Sequence, residues 1–195
     1  MLLFLSVVLL KLLDAKRLKE SFFVFFKVSV IKEEDLDSNK FLDAFEIVIF
    51  FFLVTVISLL THNFLIYKRP TVSDSFSTFL NVFLVLLVYF LAKKILEFVL
   101  SFLFLIKESI QIFSFYKTRT LYSLSFFLYI AIILCEYAGV NQLYSYYFAG
   151  FLFIARFVLY SVRNKNLIFN KLFYFILYIC AFEIAPLFVL FKLMF

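Results

Sequence analysis

The sequence predicts an all-α fold, a polytopic bundle of transmembrane helices that forms one integral membrane domain over residues 1–195. Of the 195 residues, 66% are hydrophobic, whereas soluble domains contain about 45–50% apolar residues. Long apolar runs recur along the chain, and a run of about 20 residues is enough to cross a ~30 Å hydrocarbon layer as a helix. The chain has only two glycines and two prolines, and no Gly/Ser-rich or Pro-rich stretch marks a linker between domains.

The apolar runs predict about six membrane spans, separated by short polar connections. We place these spans at approximately 2–13, 44–62, 76–106, 120–137, 144–161 and 170–193. The first run reaches only about 20 Å as a helix. It must therefore thin the bilayer, extend through Asp14 or fail to span, and in the last case five spans remain.

Residues 15–31 combine basic side chains with phenylalanines, and we predict that they form an amphipathic helix in the headgroup layer. Long basic side chains beside aromatic rings suit that position. A strand or an irregular loop is the alternative, because apolar and polar residues alternate over 26–30. A solvated acidic turn follows at 33–37, after which Asp43 can cap the second span.

The second span contains two hydroxyl residues, Thr55 and Ser58, which we expect to hydrogen-bond to the backbone of their own helix. His62 follows this span and is the only histidine in the chain. It has no second imidazole with which to bind zinc or relay protons, so we expect it at the wet interface.

The third apolar run, 76–106, allows two interpretations because about 46 Å of helix is too long for an untilted span. Lys93, Lys94 and Glu97 interrupt it. The run is either one long tilted helix with these charges turned into the bundle, or a span that ends near Ala92 followed by an interfacial helix.

The fourth and fifth spans are joined by residues 138–143, which carry no charge. We expect these two spans to form a tight antiparallel hairpin. Arg156 lies about one turn from the end of the fifth span, so its side chain can reach the interface.

The last span carries a carboxylate near its middle, at Glu183, about 21 Å from the start of the helix. A charge at that depth costs about 2.5–3.5 kcal/mol on insertion scales. Pro186, three residues later, has no N–H to bond the carbonyl of Phe182. Cys180 on the same helix is interpreted as a small apolar residue.

Glu183 therefore needs a partner, and two alternatives remain open. If 76–106 is one helix that ends at the cytoplasmic face, Lys93 or Lys94 lies about 18 Å deep and matches it better than Arg156, at about 8 Å. Alternatively, Glu183 is a neutral acid bonded to a backbone carbonyl, because a low dielectric disfavours the charged form.

Basic residues are distributed unevenly among the connections. The first, third and fifth connections hold six, three and three Lys or Arg residues, and the second and fourth hold two and none. By the positive-inside rule, the odd connections are cytoplasmic and both termini face outward. The net charge of +6 is thereby explained by membrane topology and does not indicate nucleic-acid binding.

The motif inventory predicts no catalytic, cofactor or metal site. No Gly-rich phosphate loop, metal-spaced His/Cys cluster or Gly-x-Ser-x-Gly elbow occurs, and we expect the chain not to be an enzyme. The partners that we expect are the lipid bilayer and other membrane proteins, with no nucleic acid and no soluble small-molecule substrate.

The run from Phe173 to Leu190, FYFILYICAFEIAPLFVL, resembles the closing signature of a Bacteroidota membrane family, domain-of-unknown-function family 4271. The stretch from Leu9 to Asp35 is similar to the N-terminal part of that family, an apolar start that leads into a basic, Phe-rich segment. The resemblance marks Cys180, Glu183 and Pro186 as motif positions. It implies a multi-pass protein of the bacterial inner (cytoplasmic) membrane and implies no activity.

Two classes of function fit these observations. The first is a structural or accessory subunit of an inner-membrane complex, one that serves envelope protein export or biogenesis. The second is a small transporter or proton-linked carrier in which Glu183 and the two lysines form the pathway. Scarce glycine and a single intramembrane proline argue against a carrier, because carriers commonly use broken helices. A membrane-embedded enzyme ranks third.

The asymmetry of the basic residues leads to a topology prediction. Reporter fusions placed after Asn141 and after Asn166 should report the outer side and the cytoplasmic side, respectively. The reverse pattern of reporter activity would contradict the predicted orientation.

Overall fold

The computed structural model describes residues 2–23, 44–68, 75–103, 107–139, 141 and 143–163. Five helices make up nearly all of this part of the chain, so the predicted all-α class is confirmed for it. They are α1 (Leu2–Phe23), α2 (Ala44–Lys68), α3 (Phe76–Leu103), α4 (Lys107–Tyr137) and α5 (Leu143–Arg163).

Three of these helices contain stretches that are long and apolar enough to cross a membrane: Ala44–Lys68, Phe76–Leu96 and Lys117–Tyr137. The described residues thus support a membrane protein with three candidate spans and do not support a count of six. The predicted segment 170–193 lies outside the described residues, as does 24–31 of the predicted interfacial helix.

α1 consists of two helical stretches that meet at Asp14, whose backbone is extended with φ −160° and ψ 95°. The Asp14 carboxylate accepts hydrogen bonds from the backbone N–H groups of Lys16 and Arg17, both at 3.0 Å. It also pairs with the Arg17 guanidinium at 3.3 Å. Asp14 therefore caps the second stretch. The break falls between the predicted segments 2–13 and 15–31, whose positions relative to lipid remain predictions.

α2 lies at the centre of the bundle and is buried on two sides. One side packs with α1, α4 and α5 around Phe52 and Val56. The other packs with α3 around Phe50 and Val54. The share of the most apolar stretch that is buried inside the chain is 44% for α2, 39% for α4 and 11% for α3.

The hydroxyl groups of α2 bond back to their own helix, which confirms the expectation for Thr55 and Ser58. Thr55 Oγ1 donates to the Phe51 carbonyl at 2.8 Å, and Ser58 Oγ donates to the Val54 carbonyl at 2.7 Å. Thr61 Oγ1 donates to the Ile57 carbonyl in the same way, at 2.7 Å. These polar groups can therefore lie in an apolar helix without needing a partner on another helix.

Ring contacts show that α3 runs antiparallel to α2. Near one end of the pair, His62 meets Phe79 with ring centroids 5.8 Å apart, and near the other end Phe50 meets Phe90 at 6.5 Å. Residue numbers thus rise on α2 as they fall on α3. α4 runs parallel to α2, since Phe52 contacts both Phe126 (4.9 Å) and Tyr129 (5.5 Å), while Leu60 of α2 and Ile132 of α4 line one cavity further along.

α3 begins behind a Ser75 cap and is an uninterrupted helix from Phe76 to Leu103. Ser75 Oγ accepts a hydrogen bond from the Thr78 N–H at 3.3 Å, the usual N-cap arrangement. The backbone therefore follows the long-helix interpretation as far as Leu103.

α4 begins at Lys107, so the connection counted between the third and fourth spans, which holds Lys107, Lys117 and Arg119, is helical. No glycine or proline occurs from Lys107 to Tyr137, and the basic residues are compatible with helix by propensity. The predicted start of the fourth span, near residue 120, therefore lies inside a longer helix.

α4 ends in a turn at Gly139, whose φ of +62° is the left-handed conformation that glycine adopts at helix ends. The Ala138 N–H donates to the Leu134 carbonyl at 2.9 Å. Asn141 then caps α5, because its side-chain oxygen accepts the Leu143 N–H at 3.2 Å. α4 and α5 pack against each other as a helical hairpin.

His62 is buried between helices, which corrects the expectation that its side chain is wet. It is 7% exposed, and its ring meets the edge or face of Phe79 almost at a right angle, 86°. The reason is the register of α2 on α3, which places Phe79 over the position where solvent was expected.

The packing of α2 predicts a strong contrast between two neighbouring phenylalanines. Phe52→Ala should lower the free energy of unfolding by about 3–5 kcal/mol, since Phe52 is 1% exposed in the larger core cluster and its loss leaves a cavity. Phe51→Ala, at a position that is 47% exposed, should change it by less than about 1 kcal/mol. Unfolding in detergent micelles measures both. Equal losses would contradict the assigned faces of α2.

Candidate functional site

Polar side chains from several helices gather at one end of the bundle, which we call the basic end. α2 begins there with Glu46 in its first turn. α4 passes this level at Lys117 and Arg119, and α5 reaches it at Arg156. By the positive-inside rule, this end is predicted to be cytoplasmic.

The end of α1 is hydrogen-bonded to α4 at this level. Ser123 Oγ donates to the Phe22 carbonyl at 2.9 Å, and Arg119 Nη1 donates to Ser21 Oγ at 3.4 Å. The carbonyls of a last helical turn have no partner in their own helix, so Ser123 satisfies a group that would otherwise be unpaired. The Phe22 ring also contacts Phe127 of α4 at 5.0 Å. The second stretch of α1 is therefore attached to the bundle along one side.

Glu46 of α2 and Arg119 of α4 both lie close enough to the Tyr122 hydroxyl to act on it electrostatically. Tyr122 is 1% exposed and is the largest fully buried side chain among the described residues. A carboxylate, a phenol and a guanidinium from two helices thus share one region. The Tyr122 hydroxyl is buried and has no hydrogen-bond partner among the described residues. The three groups are therefore neighbours where α2 meets α4.

We expected the Arg156 side chain to extend to the interface. In the structure it also contacts α4. Its Nη2 donates to the Lys117 carbonyl at 3.2 Å. Thr120 Oγ1 donates to the same carbonyl at 3.0 Å. Lys117 itself is 4% exposed. The end of α5 is therefore fixed to α4 by a charge-assisted hydrogen bond.

Lys93 and Lys94, the lysines predicted to face Glu183, lie against aromatic rings. Lys94 Nζ is 4.8 Å from the centroid of the Phe50 ring, and Lys93 Nζ is 5.9 Å from that of Tyr89. Both distances lie within the range of cation–π contacts. The contact with Phe50 puts Lys94 about 9 Å along α2 from Ala44, which is shallower than the sequence suggested.

The remaining predicted site residues are placed less fully. Glu97 is a helical residue of α3. Glu183, Pro186 and Cys180 lie outside the described residues. The relation of these positions to the two lysines remains a prediction.

The opposite end of the bundle is rich in tyrosine, as is common where helices leave a membrane. Tyr67, Tyr137, Tyr144 and Tyr147 are exposed there. Beneath them lies a cavity of about 10 Å³, enough for roughly one water molecule. The cavity is lined by Leu60, Asn63, Ile132, Cys135, Glu136, Ser145 and Tyr146. It is too small for an organic substrate.

Among the described residues, no group of three or more His, Cys, Asp or Glu side chains could hold a metal ion. The polar residues that the structure brings together at the basic end link helices to one another. Sequence reasoning missed this cluster because Lys117 and Arg119 were counted in the connection before the fourth span. The absence of any helix breaker between Lys107 and Tyr137 was the available signal.

Two neighbouring serines test the role of the contact between α1 and α4. Ser123→Ala should lower the free energy of unfolding by about 0.5–1.5 kcal/mol, because the Phe22 carbonyl loses its hydrogen bond from α4. Ser125→Ala is the matched control, since Ser125 Oγ bonds the Tyr122 carbonyl within its own helix. Its effect should be smaller. Unfolding in micelles compares the two, and a larger loss for Ser125→Ala would contradict the account.

The comparisons with known proteins agree with the resemblance seen in the sequence. The family model described as a domain of unknown function (DUF4271) matches residues 1–194. No curated protein matches the chain, and no solved structure matches it. The family model covers nearly the whole chain, including the apolar start and the closing signature. The chain belongs to the DUF4271 family.

Proposed function

We propose that this chain is a non-enzymatic, accessory subunit of a protein complex in the inner membrane of a Bacteroidota bacterium, and that the complex serves envelope protein export or biogenesis. The described helices support a membrane protein with several candidate spans. Their polar residues at the basic end hold helices together. The proposal also includes the finer topology of about six spans with both termini outward.

The observation that carries this proposal is the outer surface of α5. Large side chains at spacings of three or four residues are exposed along one side of this helix: Tyr144, Tyr147, Phe148, Phe151 and Ile154. Residues with this spacing share one helix face. Aromatic side chains are enriched in protein interfaces relative to other surfaces. The opposite side of α5 is already used, since Ser145, Ala149 and Leu152 are buried in the bundle.

The outer surface of α5 differs from that of α3, which strengthens the inference. The exposed large side chains of α3 from Leu80 to Leu96 are all aliphatic. Lipid tails can cover such a surface as well as another helix can. Rigid aromatic rings bury a large area for little loss of conformational freedom. We therefore assign the aromatic surface of α5 to contact with the helices of another membrane protein.

A small proton-linked carrier that uses Glu183 is the second candidate. It depends on a residue outside the described part of the chain. A Glu183→Gln variant would distinguish the classes: normal assembly with loss of cellular function favours transport, and loss of assembly favours the structural role.

Extraction in a mild detergent followed by identification of stoichiometric partners tests the proposed function. Replacing Tyr147 and Phe151 by leucine keeps the surface apolar but removes the rings, and should reduce recovery of the partner. Phe76→Leu is the control, because Phe76 is also exposed, at 76%, but lies on α3. Recovery of the chain alone, or equal recovery from all variants, would contradict the assignment of the α5 surface.

A further inference from the structure

One side of α3 is exposed along the whole of its candidate span, and we call it the outer face of α3. Its large side chains recur at spacings of three or four residues and are aliphatic; they include Leu80, Leu84, Val88, Leu91 and Ile95. Its polar members, Ser77 and Asn81, lie near the Phe76 end. The opposite side packs on α2 through residues that include Val82 and Leu86. None of the described helices covers the outer face.

Two lysines lie at the other end of α3's candidate span, Phe76–Leu96. Lys93 and Lys94 belong to the last turn of that span, and both side chains are partly exposed. Their ammonium groups lie over the rings of Tyr89 and Phe50, at 5.9 Å and 4.8 Å. Long lysine side chains keep their stems on apolar surface and their charge at the level of the headgroups. The aliphatic outer face therefore ends beside two cations.

The fold brings further cations to the same level from other helices. The candidate spans of α2 and α4 begin there, at Ala44 and Lys117. On α3, α4 and α5 the cations at this level are Lys93, Lys94, Lys117, Arg119 and Arg156, and the carboxylates nearby are Glu46 of α2 and Glu97 of α3. At the tyrosine-rich end the described parts of these four helices carry only Lys68 and Glu136 as charges. Positive charge is therefore in excess at the basic end alone.

We propose that the outer face of α3 binds an anionic phospholipid, whose acyl chains lie along the aliphatic side chains and whose phosphate lies beside Lys93 and Lys94. Basic residues at the ends of membrane helices attract anionic headgroups, and an ammonium group has three N–H donors for phosphate oxygens. A lipid without net charge can cover the same apolar surface but is not favoured by the excess of cations. The inference goes beyond the proposed function, which concerns the surface of α5 and shares no residue with this site.

The side chains of the outer face favour a lipid over a protein segment as its occupant. Exposed aromatic rings, which are typical of protein interfaces, are absent from Leu80 to Leu96. Only 11% of the most apolar stretch of α3 is buried against the described helices, so a long aliphatic strip is left for acyl chains. The excess of cations at the end of this strip is complementary to a negatively charged headgroup. A protein segment would need its own carboxylate at that level.

Tryptophan fluorescence tests the site, because the chain contains no tryptophan of its own. The full chain with Leu91→Trp, about one turn from Lys94, is reconstituted in phosphatidylcholine bilayers that contain a small fraction of brominated phosphatidylglycerol or of brominated phosphatidylcholine. The brominated phosphatidylglycerol should quench the fluorescence more strongly. Leu80→Trp is the matched control, since Leu80 and Leu91 lie on the same face with exposures of 41% and 42%. Leu80 lies about 16 Å nearer the tyrosine-rich end, and the two lipids should quench there equally.

Replacing the lysines tests their role in the Leu91→Trp chain. Lys93→Gln and Lys94→Gln should each lower the preference for phosphatidylglycerol by about fivefold, the usual contribution of one basic residue near an anionic membrane surface. Lys68→Gln, at the opposite end of the bundle, should leave the preference unchanged. The double variant Lys93→Arg, Lys94→Arg keeps both charges and should keep the preference.

Three results would overturn the proposal. Equal quenching of Leu91→Trp by the two brominated lipids would exclude a preference for the anionic headgroup. Quenching by neither lipid would indicate that a protein segment covers α3. A preference that survives replacement of both lysines by glutamine would show that they do not bind the phosphate. If the glutamine variants fail to fold, the comparison of Leu91→Trp with Leu80→Trp decides, because both lysines are then in place.

Discussion

The burial of α2 on two opposite sides is the constraint on which the rest of the structure depends. Phe52 packs in the cluster shared with α1, α4 and α5, and Phe50 packs in the cluster shared with α3. Because both clusters include α2, every other described helix is positioned relative to it. The directions of α3 and α4, and therefore the level of each polar residue along the bundle, follow from these contacts.

One consequence is that the polar groups divide into two levels. At the basic end, Glu46 and Arg119 lie near Tyr122, Arg156 is bonded to α4, and Lys94 lies over a ring. These charges share their level with the first turns of α2. Asn81 lies near the opposite, tyrosine-rich end of the bundle, about 7.5 Å along α3 from Phe76.

The sequence was sufficient for the fold class and for several local features. Composition alone indicated membrane helices, and the hydroxyls of Thr55 and Ser58 behave as expected. The faces of the helices could not be predicted, because α2 is apolar all round. In a membrane, both the side that packs on protein and the side that faces lipid are apolar, so periodicity does not separate them. Only the register placed His62 against Phe79.

Charged residues misled sequence reasoning for a related reason. Lys117 and Arg119 were counted in the connection before the fourth span, yet the helix continues through them from Lys107. Arg119 donates to Ser21 of α1, and the Lys117 carbonyl accepts from Arg156 of α5. Such bonds depend on which helices are neighbours. The predicted depth of Lys94 was counted from Ile106. Its contact with Phe50 instead relates Lys94 to the start of α2 at Ala44, and the depth on that scale is smaller.

The antiparallel packing of α3 on α2 can be measured by electron paramagnetic resonance distances between spin labels. A label at Ile47 is paired in one sample with a label at Ile95 and in another with a label at Leu80, all of which are exposed positions. Ile95 and Leu80 are separated by about 22 Å along α3. Antiparallel packing predicts a clearly shorter distance from Ile47 to Ile95. A shorter distance from Ile47 to Leu80 would contradict it.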